Sequence, residues 1–215
     1  MIKHKTIKFL LKKYLGVNNH YPVKKINKKK VIFIHVPKTG GTSISKLFGF
    51  THWTHHNVKQ IKNKVGSDWV ESFKFAFVRN PYERALSLYQ EFIKHKKKYK
   101  SNIEKELSFE KWLTYCFHDQ NTDYIWWEPF FATQKKWLVN EKGILEIDHL
   151  ARFEDMEEEI DFLSNYFGVT GKLQKLNQGF LKSKYASYRS IKTDQIIENY
   201  FCEDFEAFNY SFRKF

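Results

Sequence analysis

Cysteine is scarce in this chain of 215 residues, and long uninterrupted apolar runs are absent. Cys116 and Cys202 stand far apart among apolar and aromatic residues, so neither a disulfide framework nor a CxxC metal site is indicated. No stretch approaches the roughly 18 consecutive apolar residues of a membrane span. Lysines interrupt the apolar positions near the N-terminus, and no cleavage site typical of a secretion signal follows them. We therefore expect a soluble protein of the reducing cytoplasm.

Acidic residues are missing from the first 67 positions, which contain fifteen lysines. The net charge of +13 is therefore an N-terminal excess. Such asymmetry favours an anionic partner, whether nucleic acid, lipid headgroups or acidic glycan, although a lysine-rich solubilising face explains the charge equally well. We predict a basic N-terminal extension over residues 1–30 that ends in a solvated connector over 24–30; its helical part either lies on an anionic membrane surface or packs against the domain. One domain is predicted over residues 31–215.

Strands alternate with helices in the predicted domain. Val31 to Val36 and Phe73 to Val78 predict strands that are buried on both faces, and His149 to Phe153 predicts a third, less apolar strand. Thr42 or Ser43 is the predicted cap of the helix after the first strand, and Thr193 of a last helix. The pattern predicts a P-loop-like α/β fold with a mostly parallel central sheet and helices on both faces.

The segment Pro37 to Ser43, PKTGGTS, is the most informative stretch of the chain. Gly40 and Gly41 let backbone N–H groups close around tetrahedral anionic oxygens, and the following helix adds its positive N-terminal end. Lys38 contributes a full positive charge. Hydroxyl donors come from Thr39, Thr42 and Ser43. The lysine precedes the glycines, so the segment is not the GxxxxGK[ST] loop of ATP-binding proteins.

A second phosphate motif, RNPYERALSLY, follows the second predicted strand at Arg79 to Tyr89. Asn80 is a good helix cap and Pro81 a good first helical residue. Arg79 before the helix and Ser87 two turns into it can both reach a phosphate at the helix start, the arginine in bidentate fashion. Arg84 is predicted to pair with a carboxylate or to pack.

Both motifs resemble those of the sulfotransferases that use 3'-phosphoadenosine 5'-phosphosulfate (PAPS). In that family a PKTGGTS-like turn holds the 5'-phosphosulfate, and an RNPxxRxxSxY-like element binds the 3'-phosphate. The resemblance continues through residues 134–138 and 148–154 and the tail FEAFNYSF, and it is nearest to the carbohydrate 2-O-type group and its bacterial relatives. It implies in-line transfer of a sulfuryl group from PAPS to a glycan or other hydroxyl acceptor, which leaves adenosine 3',5'-bisphosphate. No nucleic acid partner is then expected.

The resemblance also implies roles for single residues. Lys38 stabilises the leaving group, and the turn from Lys38 to Ser43 binds the donor together with Arg79 and Ser87. Lys182 and Lys184 lie in a late loop that the family brings over the donor. His55 matches the position of the catalytic base, in a lysine-rich neighbourhood without carboxylates that favours a neutral imidazole. His56 is its neighbouring rival.

Other roles for the histidines and aromatic residues are open to test. His52, His55 and His56 have a spacing that suggests zinc, but no Cys, Asp or Glu stands nearby in the sequence, so no metal is expected. Three aromatic residues either stack on sugar rings or belong to the core. They are Tyr124, Trp126 and Trp127.

Two other functions account for parts of the pattern. A P-loop-like kinase or nucleotidase would use the same strand, turn and helix, but the Walker lysine position and an obvious magnesium-binding aspartate are missing. A noncatalytic polyanion-binding protein would explain the lysines, yet it leaves the Gly-Gly turn and the Arg79 to Ser87 spacing unexplained. Dependence on ATP with magnesium, or on PAPS without it, separates the first of these from a sulfotransferase.

Overall fold

The computed structural model of the chain describes residues 21–50, 55–99, 106–125, 128–170 and 185–213. These residues divide into two compact units. The first contains residues 21–50, 55–78 and 134–170, and the second contains residues 79–99, 106–125, 128–133 and 185–213. Within the described ranges, no helix has both the length and the apolarity that crossing a bilayer requires. The division into a 1–30 extension and a 31–215 domain stays a prediction.

The first unit is built on a four-stranded sheet in the order β1-β2-β3-β4. The strands are β1 Val23–Ile26, β2 Lys29–Ile34, β3 Phe73–Val78 and β4 His149–Arg152. β2 pairs in parallel with β3 and β3 with β4, whereas β1 is antiparallel to β2. The predicted mixed α/β fold is confirmed, while its P-loop-like character and the helices over both faces stay predictions.

Helices occupy much of the remaining described chain. In chain order the α-helices of the described residues are α1 Gly41–Phe48, α2 Val58–Val65, α3 Asp68–Glu71, α4 Pro81–Tyr99, α5 Phe109–Leu113, α6 Glu128–Phe131, α7 Gln134–Leu138, α8 Met156–Phe167, α9 Ile191–Tyr200 and α10 Cys202–Ala207. A π-helical turn, Thr114–His118, continues α5. The alternation of strand and helix predicted for residues 31–78 and 149–167 is therefore present.

The core of the first unit lies between the sheet and two helices. Phe33 of β2 and Phe75 and Phe77 of β3 share one hydrophobic cluster with residues of α1 and α8. The helical members are Ile44, Phe48, Ile160, Leu163 and Phe167. The alternate strand residues Ile32 and Ile34 are also fully buried, as expected for an inner strand of a parallel sheet. Because these residues are buried, the core fixes the position of β2 and of the turn that follows its carboxyl end.

A β-hairpin replaces the connector that was predicted over residues 24–30. Asn27 and Lys28 form its two-residue turn, with left-handed φ values of 45° and 70°, as a type I' turn requires. The Asn27 side-chain amide donates hydrogen bonds of 2.8 Å to the carbonyl oxygens of Phe167 and Gly168. The hairpin is thereby tied to the end of α8. The sequence gives only a weak signal for this hairpin, because the second turn position is a lysine and not the glycine that is typical of such turns.

Two helices begin before their predicted caps. Gly40 occupies the cap position of α1, in place of Thr42 or Ser43, and it does so without a side-chain hydrogen bond. Ser190 caps α9, and Thr193 completes the capping box three residues later. The predicted cap of α1 was wrong because Gly40, in a left-handed conformation, ends the turn after β2, and the helix begins at the next residue.

The second unit is helical and has an aromatic core. Trp112 of α5 is fully buried, and its ring lies near those of Phe92, Phe117 and Phe131. The half-buried Tyr124 packs against Phe92 at a centroid distance of 6.0 Å. Tyr124 therefore packs at the edge of this core, whereas Trp126 and Trp127 lie outside the described residues.

Arg84 of α4 is also fully buried in the second unit. Its Nη2 donates hydrogen bonds to the carbonyl oxygens of Phe130 and Ala132, at 2.9 and 3.0 Å. Burial lowers the pKa of Arg84 to about 10, and the negative charge of Asp204 acts in the opposite direction. A guanidinium with this pKa stays charged at neutral pH, so Arg84 supports the helix packing, as predicted.

We predict that Lys28→Gly raises the free energy of unfolding by about 1 kcal/mol, because glycine adopts the left-handed conformation without the steric penalty of a side chain. Lys25→Gly is the matched control, since Lys25 is equally exposed but extended in β1. It should lower the free energy of unfolding by about 0.5–1 kcal/mol. Urea unfolding measures both values, and a loss of stability in Lys28→Gly would contradict the turn.

Candidate active site

The turn after β2 contains two glycines and leads into the N-terminus of α1. Gly40 has a left-handed φ of 83° and immediately precedes Gly41, the first residue of the helix. Lys38 is also left-handed, with a φ of 71°, which is uncommon for a residue with a side chain. The buried hydroxyl of Thr39 donates a hydrogen bond of 2.9 Å to the carbonyl of Val36 and holds the turn closed. The chain thus passes from a buried strand into a helix within a few residues.

Neither glycine of the turn has room for a side chain. A Cβ atom at Gly40 would lie 2.8 Å from Cε of Met156 and 3.0 Å from Cε2 of Phe153. A Cβ atom at Gly41 would lie 1.9 Å from Cδ2 and 2.0 Å from Nε2 of His35. Because the neighbouring side chains already occupy these positions, the turn keeps a bare backbone at the positive end of α1. Such a helix start suits a phosphate or sulfate group.

The predicted anion-binding residues of the turn differ in their exposure. Thr42 is exposed, Lys38 and Ser43 are half-buried, and Thr39 is fully buried. The Thr39 hydroxyl serves the turn itself, as described above. Lys38, Thr42 and Ser43 are therefore the predicted residues of the turn whose side chains are at least partly accessible to solvent.

His55 lies beside the turn and contacts His35. The two imidazole centroids are 4.2 Å apart, and the indole of Trp137 is 6.1 Å from the His55 ring. Nδ1 of His55 is 3.1 Å from the carbonyl oxygen of His35. A carbonyl only accepts hydrogen bonds, so Nδ1 carries the proton and Nε2 of the neutral ring carries the lone pair. This is the tautomer of a base that takes up a proton at Nε2.

The surroundings keep His55 uncharged. His55 is half-buried, and burial is the main cause that lowers its pKa to about 4. The bond to the His35 carbonyl acts in the opposite direction, and the positive charges of His56 and Lys38 add to the lowering. Lys38 is therefore close enough for its charge to act on His55. Burial also lowers the pKa of His56, with a smaller effect of Lys64.

A cavity of about 360 Å³ lies beside these histidines in the first unit. Its size falls in the range of small-ligand sites. Its lining combines aromatic rings, lysines and imidazoles, which include Phe33, Phe50, Lys24, Lys25, His35 and His56. His35 thus borders this cavity and also contacts Gly41 of the turn.

Arg79 and Ser87 belong to the second unit, at the start of α4. Arg79 is buried, and its Nη2 lies 3.8 Å from Oε2 of Glu83. Asn80 caps the helix as predicted, since its side chain accepts a hydrogen bond from the N–H of Tyr82 at 3.0 Å. Glu83 and the half-buried Ser87 are one helical turn apart and therefore share a face of α4. Arg79 and Ser87 are both neighbours of Glu83.

The late loop is described only from Tyr185 onward, so Lys182 and Lys184 lie outside the described residues, as does His52. The backbone N–H of Tyr185 donates to Oε1 of Glu83 at 3.3 Å. The buried Tyr185 hydroxyl donates to Asp194 at 2.5 Å. The end of this loop is thereby anchored beside the Arg79 contact. Across the part of the chain that the structure describes, no group of three or more His, Cys, Asp or Glu is placed to hold a metal ion.

His35 is the site residue that sequence reasoning missed. It is the one polar residue in the run Val31 to Val36 that was predicted to be buried on both faces, and it stands two residues before the PKTGGTS segment. A polar residue in that position is the signal that could have identified it. Its contacts depend on the fold, because the turn brings Gly41 back to the ring and His55 follows only after α1.

A comparison with known protein families matches residues 23–211 to the sulfotransferase family. The chain belongs to the sulfotransferase family. The protein is thus an enzyme that transfers sulfuryl groups. The family predicted from the two motifs is confirmed, and the carbohydrate 2-O-type description fits this family. Comparisons with curated proteins and with solved structures found no match.

We predict that acid destabilises this sulfotransferase partly through His55. The imidazole has a pKa of about 4 in the folded protein and an ordinary value of 6.5 in the unfolded chain. Between these values the unfolded state binds more protons, so the free energy of unfolding falls as the pH drops from 6.5 to 4. This residue contributes at most about 3 kcal/mol to the fall and nothing further above pH 6.5.

His55→Gln is the control for this prediction, because an amide of similar length does not titrate in this range. Urea unfolding between pH 4 and 7.5 should give a smaller fall in the variant than in the wild type. Equal falls in both proteins would show that His55 is not held neutral by folding.

Proposed function

We propose that this sulfotransferase takes the sulfuryl group from PAPS and transfers it to a hydroxyl of a carbohydrate-type acceptor. The observation that carries the proposal is the turn from Lys38 to Ser43, in which a left-handed Gly40 and the start of α1 form an anion-binding backbone beside a lysine. The first 67 residues contain no acidic side chain. The surroundings of the turn therefore suit the 5'-phosphosulfate of PAPS, which is strongly anionic.

The other end of the donor requires a separate phosphate site, which we assign to Arg79 and Ser87. The guanidinium of Arg79 can bind a phosphate through two parallel hydrogen bonds. Its present contact with Glu83, at 3.8 Å, keeps the guanidinium against α4 and next to the helix face that carries Ser87. Lys182 and Lys184 remain proposed donor ligands from the late loop.

The mechanism relies on position and charge. When bound, PAPS supplies an activated sulfuryl group, whose bond to the bridging phosphate oxygen breaks as the acceptor oxygen attacks sulfur from the opposite side. His55 takes the proton of the acceptor hydroxyl at Nε2, because Nδ1 donates to the carbonyl of His35. Lys38, whose charge acts on His55, would stabilise the negative charge that develops on the leaving group. A lysine and backbone dipoles suffice for a sulfuryl group, which carries less charge than a terminal phosphate.

The cavity beside His35 and His56 is our proposed acceptor site. Its aromatic rings offer apolar faces to a sugar, and its lysines at β1 attract a carboxylate or sulfate on that sugar. This site is the reason to propose a glycan acceptor of acidic character. Residues 1–20 lie outside the described residues, so their attachment to an anionic membrane surface and the cytoplasmic location stay predictions.

Membership of the sulfotransferase family favours sulfuryl transfer over the two alternatives. A kinase would share the strand, turn and helix, but it would need ATP and magnesium. A noncatalytic polyanion-binding protein would not need a neutral histidine with a fixed tautomer beside the turn. Replacing PAPS by ATP with magnesium should therefore give no group transfer.

We predict that wild type binds adenosine 3',5'-bisphosphate and that Arg79→Ala binds it about 100-fold more weakly, because a bidentate charged contact is lost. Isothermal titration calorimetry measures both affinities. Adenosine 5'-monophosphate is the matched control, since it lacks the 3'-phosphate and should bind both proteins equally. Equal binding of the bisphosphate to both proteins would contradict the assignment of Arg79.

We predict that His55→Ala lowers turnover by about 10²- to 10⁴-fold, the usual contribution of a general base, and leaves the affinity for adenosine 3',5'-bisphosphate within about twofold. Transfer of labelled sulfate from PAPS to a panel of neutral and carboxylate-bearing sugars measures turnover. His56→Ala is the control: because His56 lines the proposed acceptor site, its loss can weaken acceptor binding, but turnover at saturating acceptor should be largely retained. The reverse result would assign the base to His56.

A further inference from the structure

The second glycine of the turn is not required by its own backbone conformation. Gly40 has a left-handed φ of 83°. Gly41 does not have a positive φ and is the first residue of α1. Alanine is a good residue at such a position when space permits. The nearest atoms to a Cβ at Gly41 are Cδ2, Nε2 and Cε1 of His35, at 1.9, 2.0 and 2.8 Å. The His35 ring therefore occupies the place that a side chain at residue 41 would take.

The same ring is held from two other sides. Its stacked contact with Phe33 has a centroid distance of 5.6 Å and an interplanar angle of 18°. The His55 ring lies 4.2 Å away, centroid to centroid. His35 itself is only 7% exposed. The ring is therefore in contact with Phe33, His55 and Gly41, and it also borders the cavity.

We propose that His35 is a positioning residue that links the donor turn to the base. Its imidazole sets the path of the turn by excluding any side chain at residue 41, and it fixes the orientation of His55 by packing against that ring. The part of this inference that concerns His55 rests on the proposed function. The part that concerns Gly41 is independent of it.

The main chain and the side chain of His35 have separate tasks. The carbonyl oxygen accepts the hydrogen bond of His55 Nδ1, at 3.1 Å, and a substitution of the side chain leaves that acceptor in place. The imidazole supplies packing and keeps water from one side of His55. His35→Ala therefore tests the role of the ring while the tautomer of the base is retained.

A double-mutant cycle tests the link to the turn. We expect Gly41→Ala to weaken binding of adenosine 3',5'-bisphosphate by about tenfold or more and to lower the midpoint of urea unfolding, because the added Cβ collides with the His35 ring. In the His35→Ala background the same substitution should have little effect, about twofold or less in affinity. An equal cost of Gly41→Ala in both backgrounds would overturn the proposal.

Gly40→Ala is the matched control for this cycle. Its Cβ would meet Met156 and Phe153 and would also require a left-handed alanine, so removing the His35 ring should give no relief. Relief of Gly40→Ala by His35→Ala would mean a general loosening of the turn and would overturn the specific link. If wild type does not bind the bisphosphate, the proposed function fails, while the unfolding cycle still decides the link between His35 and Gly41.

A histidine titration tests the link to the base. The charged and ring groups around His55 are His35, His56, Lys38 and Trp137. Since burial is the main cause of the low pKa of about 4, removing the His35 ring should admit water and move the pKa of His55 toward 6.5. Nuclear magnetic resonance of the imidazole protons in wild type and His35→Ala measures this, and the acidic limb of the turnover profile should move with it. An unchanged pKa of His55 would overturn the link to the base.

Discussion

The steric exclusion of side chains from residues 40 and 41 is the constraint on which the donor turn depends. Phe153 and Met156 close the space at Gly40, and the His35 ring closes it at Gly41. Both neighbours are fixed by the sheet, since His35 follows β2 and Phe153 follows β4. The parallel pairing of β2, β3 and β4 thus determines the shape of a turn that lies at its edge. The backbone of the turn therefore stays free of side chains at residues 40 and 41 because of the packing around it.

Positive charges act on His55 and disfavour its protonation. Lys38 is near His55 and lowers its pKa, while the first 67 residues offer no carboxylate to balance it. Burial contributes more to the low pKa than these charges do. A protonated His55 could not accept a proton, so the burial that disfavours its charge keeps it in the form that the proposed base role needs.

Periodicity predicted the elements that position the site, because buried strands have a strong apolar pattern. β3 has the predicted bounds, Phe73–Val78, and β2 ends close to its predicted end. The β1 hairpin was missed because Asn27 and Lys28 form its turn without a glycine. His35 was missed because its partners Gly41 and His55 meet it only in the folded chain. Local sequence patterns predict the backbone conformation of a residue. They do not predict that the ring of His35 occupies the space beside Gly41.

The partner of His55 is a main-chain carbonyl, and this choice suits a site for an anionic donor. A carboxylate partner would also fix the tautomer, but it would raise the pKa of the imidazole and place a negative charge beside the phosphosulfate. The His35 carbonyl orients Nδ1 without adding charge. In the proposed reaction the low pKa makes His55 a weak base, so alignment of the acceptor and stabilisation of the leaving group, the role proposed for Lys38, would supply most of the rate enhancement. One residue, His35, therefore serves the turn through its ring and the base through its backbone.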